Sequence, residues 1–96
     1  MFGRNKCSID PSEESALRLE LALKHFLKDA PEKARELAIR IIKHSSEDIA
    51  VAAAYRTLTH FKDEETEQLF IDYILENDEH SKFFGIVNSY RNNYEL

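Results

Sequence analysis

The sequence predicts an all-α fold, arranged as a five-helix antiparallel right-turning array or as a compact bundle of helical hairpins. Its 96 residues include only two glycines and two prolines, which is little material for the turns of a β-sheet protein. Five successive segments combine a helix-start signal with apolar residues at helical spacing. A chain of this length buries roughly two thirds of its unfolded surface. We therefore expect one helical domain over residues 1–96, with residues 1–9 as a flexible tail.

Two start signals that contain Asp and Pro predict the first two helices. Asp10-Pro11-Ser12-Glu13 offers a capping Asp, a proline suited to the first helical position and a Glu three residues after the cap, so the helix should run to about Lys28. Asp29-Ala30-Pro31-Glu32 repeats the signal, and that helix should end near His44. The predicted inner faces are Ala16, Leu19, Leu23, Phe26 and Leu27, widened by Leu17 and Leu21, and then Ala34, Leu37, Ala38, Ile41 and Ile42.

Polar residues mark the starts of the remaining three helices. We expect Ser45 or Ser46 to cap the third helix, Asp63 to cap the fourth, and Asn77 or Asp78 to begin the fifth. The small residues of the third helix permit close helix contact. The predicted inner faces are Ala50, Ala53, Ala54, Thr57, Leu58 and Phe61 in the third helix, Thr66, Leu69, Phe70, Tyr73 and Ile74 in the fourth, and Phe83, Ile86, Val87, Tyr90 and Tyr94 in the fifth.

The chain repeats when it is shifted by 32 residues. The shift places inner residues of the later helices on those of the earlier ones, with Leu37 over Leu69, Ile42 over Ile74 and Leu58 over Tyr90. A period of this size is typical of stacked helical hairpins. The stretch 37–58, with Ile41-Ile42, a polar turn and then Ala52-Ala53-Ala54, resembles a HEAT-like helical-hairpin repeat, and 69–90 looks like a second copy. The resemblance implies a protein-binding scaffold, and an ordinary compact bundle is the alternative.

Negative charge is concentrated in one segment of the chain. Residues 63–81 hold eight acidic residues and no Lys or Arg, a net charge of −8, whereas residues 1–62 sum to +2 and residues 82–96 to +1. Such a field attracts basic partners and repels nucleic acids and anionic membranes. Helix N-terminal turns also favour Asp and Glu, so a solvated acidic face is the alternative interpretation.

The residue pattern predicts neither catalysis nor a bound cofactor. No glycine-rich loop is present to cradle a phosphate, and the single Cys7 has no partner for a disulfide or a Cys-based metal site. Asp72, Glu76 and His80 are spaced four residues apart, as metal ligands along one helix face would be. That face is expected to break at the turn after Glu76. We therefore predict a protein that is not an enzyme and that has no metal site and no cofactor.

Partners other than proteins are also not expected. Arg35, Arg40 and Lys43 are offset by neighbouring acids and are interpreted as an ordinary solvated face, so no nucleic-acid interface is predicted. The amino terminus lacks the apolar stretch of a secretory signal, and the longest apolar run, 49–55, is too short to span a bilayer. We expect a soluble cytoplasmic protein that binds neither nucleic acid nor membrane.

The fourth helix is the predicted partner-binding surface. Ile71 and Leu75 form a second apolar pair away from the inner stripe, beside acidic residues, and apolar anchors surrounded by one sign of charge are typical of protein interfaces. Burial of this pair between neighbouring helices is the alternative. The predicted partner-binding residues are Glu65, Ile71, Asp72, Leu75, Glu76, Asp78, Glu79 and Phe84.

Two functions fit this sequence. In size, acidity and helical content the chain is similar to the immunity proteins that neutralise nuclease toxins, although it carries no motif of that family. The similarity implies a non-enzymatic inhibitor of the antitoxin type that captures a basic protein partner such as a toxin. The alternative is a HEAT-like adaptor or a homodimeric regulatory module, in which the broad apolar arc of the first helix pairs with a second copy.

Overall fold

Five α-helices make up most of the part of the chain that the computed structural model describes, residues 14–94. They are α1 (Ala16–Asp29), α2 (Pro31–His44), α3 (Asp48–Leu58), α4 (Glu64–Glu76) and α5 (Phe84–Tyr94). No strand occurs between residues 14 and 94. The predicted all-α fold with five helices is confirmed. The expected tail at residues 1–9, which includes Cys7, lies outside the described residues.

The described part of α1 begins later than the sequence predicts. Ser15 is its N-cap, because the backbone there is extended and the Ser15 hydroxyl accepts a hydrogen bond from the Arg18 amide at 3.3 Å. The predicted start at 10–13 lies outside the described residues. The helix ends at Asp29, one residue from the predicted end, where the Ala30 amide donates to the Phe26 carbonyl at 2.6 Å.

The second helix follows the first after a single residue. Pro31 lies in its first turn, as predicted, because proline lacks the amide hydrogen that would be unsatisfied there. Ala30 rather than Asp29 is the N-cap residue, and no side chain caps this end. The helix ends at His44, as the sequence predicts.

The side-chain cap predicted for α3 is absent, whereas the one predicted for α4 is present. Neither serine caps α3, because Glu47 is the N-cap residue and makes no side-chain bond to the helix. The Ser45 hydroxyl instead accepts from the Glu47 amide at 3.1 Å and so stabilises the turn before α3. For α4 the prediction is confirmed, since Asp63 Oδ1 accepts from the Thr66 amide at 2.9 Å.

The fifth helix begins at Phe84, whereas the sequence predicts a start at Asn77 or Asp78. Asp78 Oδ1 accepts from the His80 amide at 2.9 Å, which closes a short turn instead of a helical one. The Ser81 hydroxyl then donates to the Asp78 carbonyl at 2.8 Å. These local bonds compete with helix formation, because they use the groups that would cap a first turn.

Tyr73 of α4 holds the same connection in place. Its hydroxyl donates to the Ser81 hydroxyl at 2.9 Å and accepts from the Phe83 amide at 2.9 Å. Both bonds cross from α4 to the residues just before α5. The start of α5 is therefore determined by a contact between elements as well as by the local sequence.

The core lies between α1, α2 and α3, which pack against one another in all three pairs, and α5 packs on α3 and α4. Tyr55, which the sequence did not assign to an inner face, is buried, and its ring centre lies 5.5 Å from those of Phe70 and Tyr73. Phe70 stacks on Tyr90 with ring centres 3.9 Å apart and planes at 10°. This aromatic layer joins the first three helices to the α4–α5 hairpin.

Most predicted inner faces are buried, and the exceptions are informative. Ile42 and Ile74, predicted at the middle of their stripes, are only half-buried at the rim of the core. Leu17 and Leu21, predicted to widen the inner face, are instead 63% and 55% exposed. Ile39 is buried outside the predicted stripe, because α2 is covered by both α1 and α3. The Tyr94 side chain lies outside the described residues.

The 32-residue shift holds for one pair of helices and fails for the other. Adding 32 to the bounds of α2 gives 63–76, which agrees with α4 to within one residue at its start, but adding it to the bounds of α3 gives 80–90, four residues before α5. The connection at 77–83 is longer than the connection at 45–47, which accounts for the difference. The resemblance to HEAT-like repeats therefore stays a prediction.

Candidate protein interface on helix α4

The outer side of α4 presents an apolar pair to solvent. Leu75 is 78% exposed, and Ile71, one turn earlier, is half-buried. Thr66 and Phe70 are fully buried on the opposite side of the helix. Because residues four apart lie on the same helix face, Ile71 and Leu75 form a stripe directed away from the core. The alternative, burial of both side chains between neighbouring helices, is therefore wrong for Leu75, which lies in solvent. Ile71 is buried only in part.

Acidic side chains flank this apolar pair. Glu64, Asp72 and Glu76 are all exposed on the same helix. Asp72 Oδ1 accepts from Gln68 Nε2 at 2.7 Å, which orients the carboxylate along the helix. None of the three acids forms an ion pair with another residue in the range 14–94. We call this side of the helix the α4 face, formed by Glu64, Gln68, Ile71, Asp72, Leu75 and Glu76.

The first turn of α4 is held to α2 by Arg35. Its Nε donates to Asp63 Oδ2 at 2.9 Å and its Nη2 donates to Asp63 Oδ1 at 2.8 Å, which is a bidentate ion pair. The hydrogen bonds from Arg35 and from the Thr66 amide hold the pKa of the Asp63 carboxyl well below its usual range. Arg35 is therefore a structural link between helices, and its interpretation as part of a solvated face is wrong.

Other acids near this turn are also paired. Arg35 Nη2 lies 3.1 Å from Glu65 Oε1, and Lys43 Nζ lies 3.9 Å from Glu65 Oε2. Lys62 Nζ lies 2.8 Å from Glu67 Oε2. Basic residues from outside the acidic segment thus compensate its amino-terminal part. Glu65 was predicted to bind a partner, and the structure places it in this intramolecular network.

Three further predicted binding residues lie beyond the carboxyl end of α4. Asp78 and Glu79 are exposed, and Glu79 Oε2 lies 3.9 Å from His80 Nε2. Phe84, the first residue of α5, is half-buried. The helix ends at Glu76, so its outer face stops before His80. This is the break that the sequence predicts. Within the acidic segment 63–81, the acids that are not paired with a Lys or Arg of the described chain are therefore those of the α4 face and of this connection.

Tyr55 lies close to the acidic residues of the α4 face. Burial raises the pKa of its phenol to about 12, and the neighbouring Tyr73, Glu76 and Asp72 add to the shift. The phenol therefore stays neutral at physiological pH. The buried layer beneath α4 adds no charge of its own to the α4 face.

Outside α4, a small cavity and the placement of the metal-ligating residue types bear on possible chemistry in the described chain. A cavity of about 150 Å³ lies between α1 and α3, lined by Glu20, Leu23, Lys24, Leu27, Ala53, Arg56, Thr57 and His60. The Thr57 hydroxyl donates to the Ala53 carbonyl at 2.9 Å, so it is already engaged. Within residues 14–94, no three His, Cys, Asp or Glu side chains lie close enough together to hold a metal ion.

No helix of the described chain is both long enough and apolar enough to cross a bilayer. The chain matches no protein-family model, no curated protein and no solved structure.

Proposed function

We propose that this protein is a non-enzymatic protein-binding module whose α4 face captures a basic protein partner, in the manner of an immunity protein or antitoxin. The observation that carries the proposal is the exposure of Leu75 on the same helix surface as Asp72 and Glu76, neither of which forms an ion pair inside the described chain. Leu75 is 78% exposed, so its burial against another surface would remove apolar area from water and stabilise a complex. Its acidic surroundings favour a partner of positive charge.

The two parts of the α4 face have different roles in this proposal. Asp72 and Glu76, together with Asp78 and Glu79 beyond the helix end, supply long-range attraction and raise the association rate. Ile71 and Leu75 supply the desolvated contact that keeps the complex together. Glu65 contributes less, because Arg35 and Lys43 already compensate its charge.

Affinity capture with matched variants tests this proposal. The wild-type protein, an Ile71→Ser/Leu75→Ser variant and a Glu32→Lys/Glu36→Lys control are each immobilised, and bound proteins from the native cell are identified at low and moderate salt. We expect a basic protein that binds the wild type and the control, is lost on the variant, and binds more weakly as salt rises. Capture of the same proteins by the wild type, the variant and the control at every salt concentration would contradict the proposal.

A homodimeric module is the second candidate, and one observation favours it. Leu17 and Leu21 are 63% and 55% exposed and lie one turn apart on α1. Two exposed leucines on one helix face are suited to burial against a second copy. Sedimentation velocity over a dilution series tests this candidate, since a monomer at every concentration would contradict it.

A further inference from the structure

The exposed side of α1 carries an ordered stripe of residues. Leu17, Leu21, Lys24 and Lys28 are all exposed, and they are spaced by four, three and four residues. This spacing keeps the side chains on one face of a helix. The stripe is therefore apolar at its amino-terminal half and ends in two lysines, of which Lys24 is paired with Glu20 at 3.9 Å and Lys28 carries the remaining positive charge.

The α4 face carries the same spacing in the opposite direction. Read from its carboxyl end, the stripe is Leu75, Ile71, Gln68 and Glu64, again spaced by four, three and four residues. Leu75, Gln68 and Glu64 are exposed, and Ile71 is half-buried. This stripe is apolar first and then polar and acidic.

We propose that the α4 face of one copy binds the α1 stripe of a second copy, with the two helices antiparallel. In this register Leu17 lies against Leu75 and Leu21 lies against Ile71. Lys24 then lies against Gln68, whose amide is bonded to Asp72, and Lys28 lies against Glu64. Spacings of four and three residues are those that keep a helix seam aligned over several turns.

The other ways of pairing these two stripes are less complementary. Antiparallel pairing of α1 with α1 places Leu17 against Lys28, and parallel pairing places lysine against lysine. Parallel pairing of α4 with α4 places Glu64 against Glu64, and antiparallel pairing places Leu75 against Glu64. Parallel pairing of α1 with α4 again places leucines against polar residues. Among the pairings that overlap all four positions, only the antiparallel α1–α4 pairing matches both the apolar and the charged halves.

This inference rests on the proposed function in one respect, because it also uses the α4 face as a docking surface. It specifies that the surface is occupied by a second copy when no other partner is bound. The second copy and a basic partner would then compete for the same residues. Self-association would therefore reduce the apparent affinity of the α4 face for any other protein.

A complementation experiment tests the inference. One variant, Leu17→Ser/Leu21→Ser, loses the α1 stripe, and the other, Ile71→Ser/Leu75→Ser, loses the α4 face. Sedimentation velocity should show that the wild type self-associates as its concentration rises and that each variant alone stays monomeric. A mixture of the two variants should restore association, because one variant retains the α4 face and the other retains the α1 stripe. Circular dichroism should show that both variants keep their helices.

Charge-swap variants give a second and milder version of the test. Lys28→Glu and Glu64→Lys should each weaken self-association roughly five- to tenfold, because each replaces an attraction with a repulsion. Mixing the two should restore most of the lost association. Arg40→Glu on α2 is the control for charge alone, and it should leave association unchanged.

The possible outcomes separate this inference from the proposed function. A wild type that is monomeric at every concentration overturns the inference, even if a basic partner is captured by the wild type and lost on the α4 variant. An Ile71→Ser/Leu75→Ser variant that still self-associates also overturns it, since the interface would then lie elsewhere. Failure of the mixed variants to associate overturns it as well.

Discussion

At the scale of single residues, Asp63 combines a helix cap with an ion pair between elements. Its carboxylate accepts two hydrogen bonds from Thr66, from the amide at 2.9 Å and the hydroxyl at 3.1 Å, and two from Arg35. The cap was predictable, because a cap and its helix are local in sequence. The ion pair was not, because Arg35 lies 28 residues away and only the folded chain brings it near.

Because Asp63 is paired with Arg35, we expect the free energy of unfolding to depend on the ionisation of Asp63 at acid pH. The pKa of Asp63 in the folded state lies below the unfolded value of about 3.9, so its ionisation adds stability above about pH 4 that is lost as the pH falls. Asp63→Asn should lower the free energy of unfolding at neutral pH by about 1 to 3 kcal/mol. The free energy of unfolding of this variant should also fall less steeply than that of the wild type as the pH is lowered. Urea unfolding followed by circular dichroism at several pH values measures both effects.

Asp48→Asn is the matched control for this prediction. Asp48 also forms an ion pair, with Lys82 at 2.6 Å, but both side chains are mostly exposed. Exposed pairs typically contribute about 1 kcal/mol or less. If Asp63→Asn retained the full acid dependence of the wild type, the Arg35 pair would not stabilise the fold as described.

Two adjacent isoleucines of α2 provide a test of the core. Ile41 is fully buried, and Ile42 is half-buried. Ile41→Ala should lower the free energy of unfolding by about 2 to 5 kcal/mol, because truncation of a buried side chain leaves a cavity. Ile42→Ala should lower it by about 1 to 2 kcal/mol, because less area is returned to water. Equal losses in denaturant unfolding would contradict this orientation of α2.

At the scale of secondary-structure elements, the sequence predicts which helices exist better than where they begin. Each helix carries its own apolar periodicity, which is why five helices could be predicted. The start of α5 could not, because Asp78 is equally suited to a helix cap and to the turn that it forms with His80. Tyr73, bonded to Ser81 and Phe83 across the hairpin, supports the turn.

Removal of the Tyr73 hydroxyl should therefore loosen the α4–α5 connection. Tyr73→Phe deletes one donated and one accepted hydrogen bond and leaves the Phe83 amide without this partner. We expect a loss of about 1 to 3 kcal/mol in the free energy of unfolding. Hydrogen exchange should become faster first for amides of residues 77–83. An unchanged exchange rate at these residues, with stability lost elsewhere, would contradict this role.

Gly85 offers a stabilising change at the start of α5. It is the second residue of the helix, and a Cβ atom added there would meet no atom within 4 Å. Gly85→Ala should raise the free energy of unfolding by about 0.5 to 1 kcal/mol, because alanine loses less conformational entropy on folding. Thermal and urea unfolding measure this gain. Destabilisation would mean that the first turn of α5 requires glycine.

At the scale of the whole molecule, the distribution of charge depends on the fold as well as on the sequence. The sequence predicts an acidic segment at 63–81, but it does not tell which acids are compensated. The fold places Arg35, Lys43 and Lys62 beside the first turn of α4, so the uncompensated charge shifts towards its carboxyl end. Exposure of Leu75 likewise depends on how α4 packs, which the apolar pattern alone left open.

If the α4 face binds a basic partner, the association rate and the dissociation rate should respond to different mutations. Asp72→Lys/Glu76→Lys turns attraction for a basic partner into repulsion, so the association rate should fall about tenfold or more at low salt, with a smaller effect at moderate salt. Ile71→Ser/Leu75→Ser should instead raise the dissociation rate, because apolar contacts hold the complex once it has formed. Surface plasmon resonance with the identified partner measures both rates.

Glu32→Lys/Glu36→Lys is the control for the charge reversal. These two acids are exposed on α2, are also four residues apart, and give the same change in net charge. If attraction depends on the position of the charge, this control should slow association much less than the reversal on α4, because the field of an exposed charge decays within about 8 to 10 Å at physiological salt. Equal effects of the two reversals would mean that the partner responds to net charge, and that the α4 face is only a solvated acidic surface.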